Sequence, residues 1–137
     1  MKILVRAPNW IGDQVMAYPF FHFLRRRYPK AHIASVCVPW VQDLQFRNLV
    51  DEVMVVQPPL AHERTLYKKF QSLERVSSKL RTLGPWDLGI SLPNSFGTAW
   101  MLRRAGVKVR RGYSLEGRGL LLNDARDWPE EYNATHL

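Results

Sequence analysis

Residues 2–29, KILVRAPNWIGDQVMAYPFFHFLRRRYP, decide the fold. The segment from Lys2 to Ala7 is short and apolar, with one β-branched pair, which predicts a buried strand. PNWIGD carries turn residues and predicts a loop. From Asp13 to Tyr28 the apolar residues recur at helical spacing, at Ala17, Phe21, Leu24 and Tyr28. Pro19 lies within the first two turns and is expected to bend this helix.

The same order, a strand followed by a loop and a helix, recurs along the chain. Further strands are predicted at residues 31–38, 52–57, 86–92 and 108–114, and helices at residues 39–49, 66–83 and 95–105. Strands that alternate with helices predict an α/β fold, a Rossmann-like parallel sheet with helices on both faces. After Tyr113 the regularity fades, and DWPEEYNATHL stops without a natural closing element.

Composition limits the function classes. A chain of 137 residues is one ordinary domain, and a net charge of +8 favours acidic partners such as phosphorylated substrates, anionic membrane or nucleic acid. The single Cys37 lies in an apolar run, which predicts a buried, inert thiol. The apolar opening stops at Arg6, too early for a secretory signal, and no stretch approaches the roughly 20 apolar residues of a membrane span. A cytosolic protein is expected, with contact to a membrane surface allowed.

Ligands of such a sheet bind at the carboxyl ends of its strands. Asp13 stands in the first of these loops and is the only carboxylate among the first 42 residues. It is either a helix cap or a base that accepts a proton from a bound hydroxyl. Gly12 is not part of a dinucleotide fingerprint. It serves either a turn with positive φ or the close approach of a substrate.

Other polar and aromatic residues at these loops also have two interpretations. Trp10 and Trp40 either pack in the core, which their size favours, or frame a sugar or base. Asn94 and Ser95 either cap the following helix or hydrogen-bond a polar substrate. His22 and His32 are isolated, so no metal site is expected.

The sequence contains two groups of neighbouring basic residues. Arg25, Arg26, Arg27 and Lys30 end the first helix, where cations offset its dipole. The second group is opposed within its span only by Glu116, and it suits either a solvated face or recognition of phosphate or carboxylate. Its members are Arg103, Arg104, Lys108, Arg110, Arg111 and Arg118. Nucleic-acid binding is not expected, because no nucleic-acid signature accompanies the charge.

Three segments in this order resemble one enzyme family: residues 1–29, LPNSFGTAW at residues 92–100, and RRGYSLEGRGLLLND at residues 110–124. The chain resembles the bacterial ADP-heptose:lipopolysaccharide heptosyltransferases of glycosyltransferase family 9, most closely the heptosyltransferase II branch. The resemblance implies a GT-B enzyme with two Rossmann-like domains. Residues 1–137 would be its N-terminal, acceptor-side domain, and the donor-binding domain would lie beyond Leu137.

The resemblance also implies a reaction and a site. Members move heptose from ADP-heptose to the lipopolysaccharide inner core with inversion, and Asp13 matches the family's base. Substrate-binding residues implied together with the local pattern are Trp10, Gly12, Asn94, Ser95, Arg110, Arg111 and Arg118. No metal or other cofactor is implied. The acceptor is a phosphorylated, acidic lipid, so the enzyme would work at the cytoplasmic face of the inner membrane.

The first loop departs from the family. Residues 7–10 read APNW where relatives often carry a Gly and a Ser, and Gln14 replaces Met or an aliphatic residue. Two alternatives therefore stay open. One is a GT-B half with another nucleotide-sugar and acceptor pair, and the other is a basic module that binds anionic membrane or nucleic acid.

Overall fold

The described part of the chain, residues 1–57, 66–93, 95–113 and 121–126 of a computed structural model, contains one parallel sheet. Within those residues it has six strands in the order β3-β2-β1-β4-β5-β6. They are β1 (Lys2–Arg6), β2 (His32–Cys37), β3 (Glu52–Val55), β4 (Leu88–Ser91), β5 (Val109–Tyr113) and β6 (Asp124–Arg126). The predicted parallel sheet is confirmed, and five of these strands lie inside the predicted segments.

Strand β6 is the element that the sequence did not predict. It has three residues, Asp-Ala-Arg, without the β-branched or apolar run that marks a strand. Its pairing with β5 holds it in place, with Arg111 opposite Asp124 and Tyr113 opposite Arg126. The strand therefore depends on a partner that lies 13 residues earlier in the chain, which local pattern does not reveal.

The helices confirm the predictions at residues 66–83 and 95–105 to within one residue, whereas the helix predicted at residues 39–49 is a 3-10 helix that ends at Leu44. The chain forms α1 (Ile11–Met16), α2 (Tyr18–Arg27), α3 (Leu66–Leu83) and α4 (Phe96–Arg104), together with a 3-10 helix at Pro39–Leu44. The single helix predicted from Asp13 to Tyr28 is divided at Ala17, which caps the end of α1 and the start of α2. Pro19 stands in the first turn of α2, where its missing N–H costs least. No helix in the described ranges is long and apolar enough to cross a membrane.

Alternation along β1 divides the core into two layers. Ile3 and Val5 pack with Phe21 and Leu24 of α2 on one face of the sheet. Leu4 points to the other face, where Leu80, Trp86, Met101 and Leu102 cover it together with their neighbours. Successive strand residues point to opposite faces, so Arg6 belongs to the layer of Leu4, beneath α3 and α4. Cys37 is fully buried, as the sequence predicted.

Arg25 fastens the end of α2 to the sheet. Its guanidinium donates to the carbonyls of Leu49 at 2.9 Å and Ala31 at 2.8 Å, and to Asp51 Oδ2 at 2.6 Å. The same Asp51 oxygen accepts the Ile33 N–H at 2.8 Å. The predicted role of the first basic group, which was to offset the helix dipole, is therefore incomplete, because Arg25 also joins α2 to the segments beside β2 and β3.

This contact makes part of the stability pH-dependent. Partial burial opposes ionisation of Asp51, but the hydrogen bonds from Ile33 and Arg25 outweigh it and lower the pKa of its carboxyl. A lowered folded-state pKa contributes stability that is complete above the unfolded value near 3.9 and is lost as pH falls through the folded value. We expect Asp51→Asn to cost on the order of 1 kcal/mol at pH 7. That difference should shrink below about pH 4.

Urea unfolding of both proteins at pH 7, 5, 4 and 3 measures this difference. Asp43→Asn is the matched control, because Asp43 is an exposed carboxyl on the 3-10 helix. A wild-type advantage over Asp51→Asn that stays constant down to pH 3 would contradict the assignment.

Candidate functional site

The sheet reverses its strand order between β1 and β4. From β1 the chain builds outward through β2 and β3, and it then returns to place β4 on the other side of β1. Arg6 pairs with Ser91 at the carboxyl ends of these two central strands. We call the line of strand ends at Arg6, Cys37, Val55, Ser91 and Tyr113 the carboxyl edge. Open α/β sheets bind ligands at this kind of switch point.

Asp13 lies beside the switch point, in the first turn of α1. The cap interpretation is wrong, because Trp10 is the N-cap residue of α1 and no side chain makes a cap hydrogen bond there. The Asp13 side chain is exposed and makes no hydrogen bond or ion pair within the described residues. A carboxylate at the positive end of a helix, with its oxygens open to solvent, can accept a proton from a bound hydroxyl.

Gly12 precedes this carboxylate within α1. The interpretation as a turn with positive φ is wrong, because Gly106 is the described glycine with that conformation and Gly12 is helical. Apart from the chain neighbours and the backbone of α1 itself, no atom of the described residues lies within 4 Å of the position that a Cβ would take at Gly12. The open space beside Gly12 is compatible with a close approach of substrate, which stays a prediction.

The two tryptophans of the first loops lie at the surface. Trp10 is 71% exposed and Trp40 is 53% exposed, so the core interpretation is wrong for both. Trp40 donates its indole N–H to the carbonyl of Asn9 at 2.5 Å and thereby joins the loops after β1 and β2. Exposed indole rings at a ligand-binding edge offer apolar surface with one polar group, a combination common at recognition sites.

A cavity of about 480 Å³ opens at the carboxyl edge, between the sheet and helices α3 and α4. Its size is that of a small-molecule site. Arg6 and Asn9 line it from the β1 side, Lys69 and Ser72 from α3, and Ser95 and Thr98 from the start of α4. Ser95 is the N-cap residue of α4, as predicted, but its side chain makes no cap hydrogen bond. Asn94 lies outside the described residues.

Thr98 ties the start of α4 to strand β4. Its Oγ1 accepts a hydrogen bond from Ser91 Oγ at 2.8 Å and donates to the Ser95 carbonyl at 2.9 Å. Ser91 is buried at the end of β4. The hydroxyls therefore fix the first turn of α4 against the switch point, so that Ser95 reaches the cavity from a rigid element.

Arg6 is the residue that the sequence analysis missed. Its side chain is 7% exposed, and it donates to the Ala7 carbonyl at 2.7 Å and to Asn9 Oδ1 at 2.8 Å. Burial lowers the pKa of Arg6 to about 10, against a small opposing effect of Cys37. The sequence signal is a charged residue at the end of an otherwise apolar buried strand. From the sequence alone, Arg6 only marks the end of that apolar run.

The second basic group does not form one open surface. Arg104 pairs with Glu74 at 2.8 Å, Lys108 with Asp87 at 3.9 Å and Arg111 with Asp124 at 2.5 Å. Arg110 donates to the carbonyls of Leu121 and Val107, and burial, with a smaller effect of Arg103, lowers its pKa. Glu116 is the only acidic residue within the span of this group, but Glu74, Asp87 and Asp124 from outside the span pair with it.

The role of Arg110 and Arg111 in substrate binding stays a prediction, and Arg118 lies outside the described residues. Arg104 and Lys108 lie where α4 ends and β5 begins, at the opposite end of the sheet from the carboxyl edge. His32 contacts Glu52 at 3.0 Å, and the described residues contain no group of three metal-ligating side chains.

Comparisons with known proteins support the resemblance noted in the sequence. No protein-family model matches the chain. The chain is 33% identical to lipooligosaccharide heptosyltransferase 2 of Haemophilus ducreyi over 132 residues, which are 96% of this chain and 36% of the relative. It is 35% identical to lipopolysaccharide heptosyltransferase 2 of Escherichia coli over 127 residues, which are 92% of this chain and 35% of the relative. The resemblance to the heptosyltransferase II branch that the sequence suggested is confirmed.

The solved structure of E. coli ADP-heptose lipopolysaccharide heptosyltransferase II superposes on this chain with a TM-score of 0.79 and 31% identity. The match covers 96% of this chain and 36% of that structure. The predicted fold class, a Rossmann-like half of the GT-B architecture, is confirmed. The chain spans little more than a third of the length of the curated relatives that it matches.

Proposed function

We propose that this chain is the acceptor-side domain of a glycosyltransferase that moves heptose from ADP-heptose to the lipopolysaccharide inner core. The observation that carries the proposal is the exposed carboxylate of Asp13 at the switch point of a chain that aligns along 96% of its length with a heptosyltransferase 2. The donor-binding domain would lie beyond Leu137, so residues 1–137 supply one wall of the cleft.

The reaction requires a base on this wall. In a direct displacement, the acceptor hydroxyl oxygen forms a bond to the anomeric carbon while the bond from that carbon to the ADP phosphate oxygen breaks. ADP leaves with the bonding electron pair, the proton of the hydroxyl passes to an Asp13 carboxylate oxygen, and the anomeric centre inverts. A positioned base contributes about 10²–10⁴-fold to such a step. The mechanism uses no metal or other cofactor.

The acceptor would bind around this carboxylate. Trp10 offers an exposed ring, Gly12 leaves open space, and Ser95 reaches the edge from the start of α4. We place Asn94, Arg110, Arg111 and Arg118 in the acceptor contacts as well, on the strength of the family resemblance. An acidic, phosphorylated acceptor agrees with the net charge of +8.

The experiment that tests the function uses the protein encoded with its complete downstream sequence. Radiolabelled sugar transfer to isolated lipopolysaccharide core acceptors is measured for ADP-heptose, UDP-glucose, UDP-N-acetylglucosamine and GDP-mannose. We expect turnover with ADP-heptose alone, and negligible turnover by the 137-residue chain. Transfer from another nucleotide sugar in place of ADP-heptose would overturn the heptosyl assignment but keep the transferase class. Inactivity with every donor and acceptor would overturn both.

The surface of α1 and α2 supports contact with a membrane. Six large hydrophobic side chains lie exposed on these helices and their cap: Trp10, Ile11, Val15, Met16, Tyr18 and Phe23. Arg26, Arg27 and Lys30 are exposed at the end of α2. Apolar side chains next to cations are typical of protein surfaces that lie on anionic lipid. We therefore propose that this surface holds the enzyme at the cytoplasmic face of the inner membrane, close to its lipid acceptor.

Sedimentation with vesicles of 30 mol% phosphatidylglycerol in phosphatidylcholine measures this contact. We expect Met16→Glu together with Phe23→Glu to weaken binding at least about tenfold, because each change removes apolar area that the lipid would cover and adds repulsion from the anionic lipid. Tyr67→Glu is the control, since Tyr67 is equally exposed but lies on α3. Equal binding of all three proteins would contradict the proposal.

A further inference from the structure

The wall of the cavity beneath α3 and α4 contains a buried cation, Arg6, that forms no ion pair with any carboxylate of the described residues. Arg6 lies on the same face of β1 as Leu4, but one pleat further on, where the sheet ends and the cavity begins. Its hydrogen bonds within the described residues go to the Ala7 carbonyl and the Asn9 amide oxygen, both neutral. Burial of a charge is unfavourable unless an opposite charge or enough hydrogen bonds compensate it.

Arginine has more donors than these two contacts use. A guanidinium carries five N–H groups in one plane, arranged to hold two oxygens of a phosphate or carboxylate at once. Arg6 contributes to the cavity wall, and only 7% of the residue surface is accessible. An oxyanion in the cavity would supply the charge partner that the two neutral hydrogen bonds do not.

The surrounding wall favours the same ligand. Lys69 adds a second cation, and Ser72 and Thr98 add hydroxyls. The first turn of α4 also lines the cavity, and the positive end of a nine-residue helix favours an anion. The described lining residues include no aspartate or glutamate.

The remaining lining is apolar and sets the size of the ligand. Val38, Leu73 and Met101 form part of the wall, and the volume of about 480 Å³ exceeds the space needed by a bare ion. We propose that this cavity is a binding site for an oxyanion carried on a small organic body, a phosphate monoester or a carboxylate, with Arg6 as its main charge partner. The inference deepens the proposed function and rests on it, because Ser95, placed above among the acceptor contacts, lines the same cavity, but it assigns Arg6 no part in bond breaking.

Ligand binding to the 137-residue chain provides the test. Isothermal titration calorimetry is carried out with glucose 6-phosphate, glucuronate, inorganic phosphate and, as the neutral probe, glucose. We expect glucose 6-phosphate or glucuronate to bind at least tenfold more tightly than glucose. Tighter binding of the first identifies a phosphate monoester site, and tighter binding of the second identifies a carboxylate site.

Three substitutions locate the site. Arg6→Met keeps the length of the side chain but removes its charge and its planar set of N–H donors. This variant should bind the preferred anion about 10–100-fold more weakly. Lys69→Met should weaken binding a few-fold, since Lys69 lies at the exposed rim. Arg26→Met removes the same charge from the exposed end of α2 and should leave the affinity unchanged.

Loss of binding because the variant is unfolded must be distinguished from loss of binding because the charge is removed. If circular dichroism shows that Arg6→Met is unfolded, Arg6→Lys takes its place, and about tenfold weaker binding is expected because an ammonium cannot hold two oxygens in the guanidinium geometry. Affinity that is equal for wild type and a folded Arg6 variant overturns the proposal. So does equal loss in Arg26→Met, or binding of glucose as tight as that of both anions.

Discussion

Replacing Asp13 with alanine in the complete transferase is expected to lower turnover about 10²–10⁴-fold, because the acceptor hydroxyl then has no positioned group to take its proton. The Asp13 carboxylate makes no hydrogen bond or ion pair within the described residues, so its removal should leave the fold and the acceptor KM nearly unchanged. Asp13→Asn should be as inactive as Asp13→Ala, because the amide keeps the shape but not the basicity. Initial rates of heptose transfer measure the effect.

Asp43→Ala provides the matched control. Asp43 is an exposed carboxylate on the 3-10 helix that follows β2, and it therefore stands near the same edge of the sheet. This variant should keep wild-type turnover. An Asp13→Ala enzyme with more than half of the wild-type rate would remove Asp13 from the mechanism. An Asp43→Ala enzyme as inactive as Asp13→Ala would show that the loss of any negative charge near this edge lowers turnover.

Replacing Trp86 with alanine is expected to destabilise the domain by about 3–5 kcal/mol, since it leaves a cavity in the layer beneath α3 and α4. Trp86 is fully buried, and its indole N–H donates to the Leu80 carbonyl at 2.8 Å. Truncation removes the packing and also leaves that carbonyl without its donor. For a domain of this size the melting temperature should fall by roughly 10–20 °C.

Trp10→Ala is the control for this measurement. Trp10 is exposed, so the same truncation removes little buried area and should change the unfolding free energy by less than about 0.5 kcal/mol. Chemical denaturation followed by circular dichroism avoids the change in fluorescence that either substitution causes. Equal unfolding free energies for Trp86→Ala and wild type would contradict the burial of Trp86 in this layer.

The fold could be predicted where burial imposes a local pattern. Phe21 and Leu24 recur at helical spacing and indeed lie in the core, and the apolar run of residues 2–7 is the central strand. The break at Ala17 was predicted only as a bend, because the effect of Pro19 on the preceding turn depends on how that turn packs. Strand β6 could not be predicted, since pairing with β5 defines it and its own residues do not.

The site was less predictable because its contacts join distant parts of the chain. Asp13 is recognisable in the sequence as an isolated carboxylate, but whether it caps α1 depends on the residue at which that helix begins. The partners of the second basic group, Glu74, Asp87 and Asp124, are brought to it by the crossover topology and not by spacing. The place of Arg6 in a cavity wall depends on helices α3 and α4, which begin 60 and 90 residues later in the chain and cover its face of the sheet.

The break at Ala17 separates two tasks that one continuous helix would have combined. Helix α2 supplies Phe21 and Leu24 to the core, whereas Gln14 is the only buried residue of α1. Substitutions in α1 outside Gln14 therefore cost little stability, while they alter the surface around Asp13 directly. Helix α1 is therefore the first segment to randomise when a changed acceptor preference of the proposed transferase is selected in the laboratory.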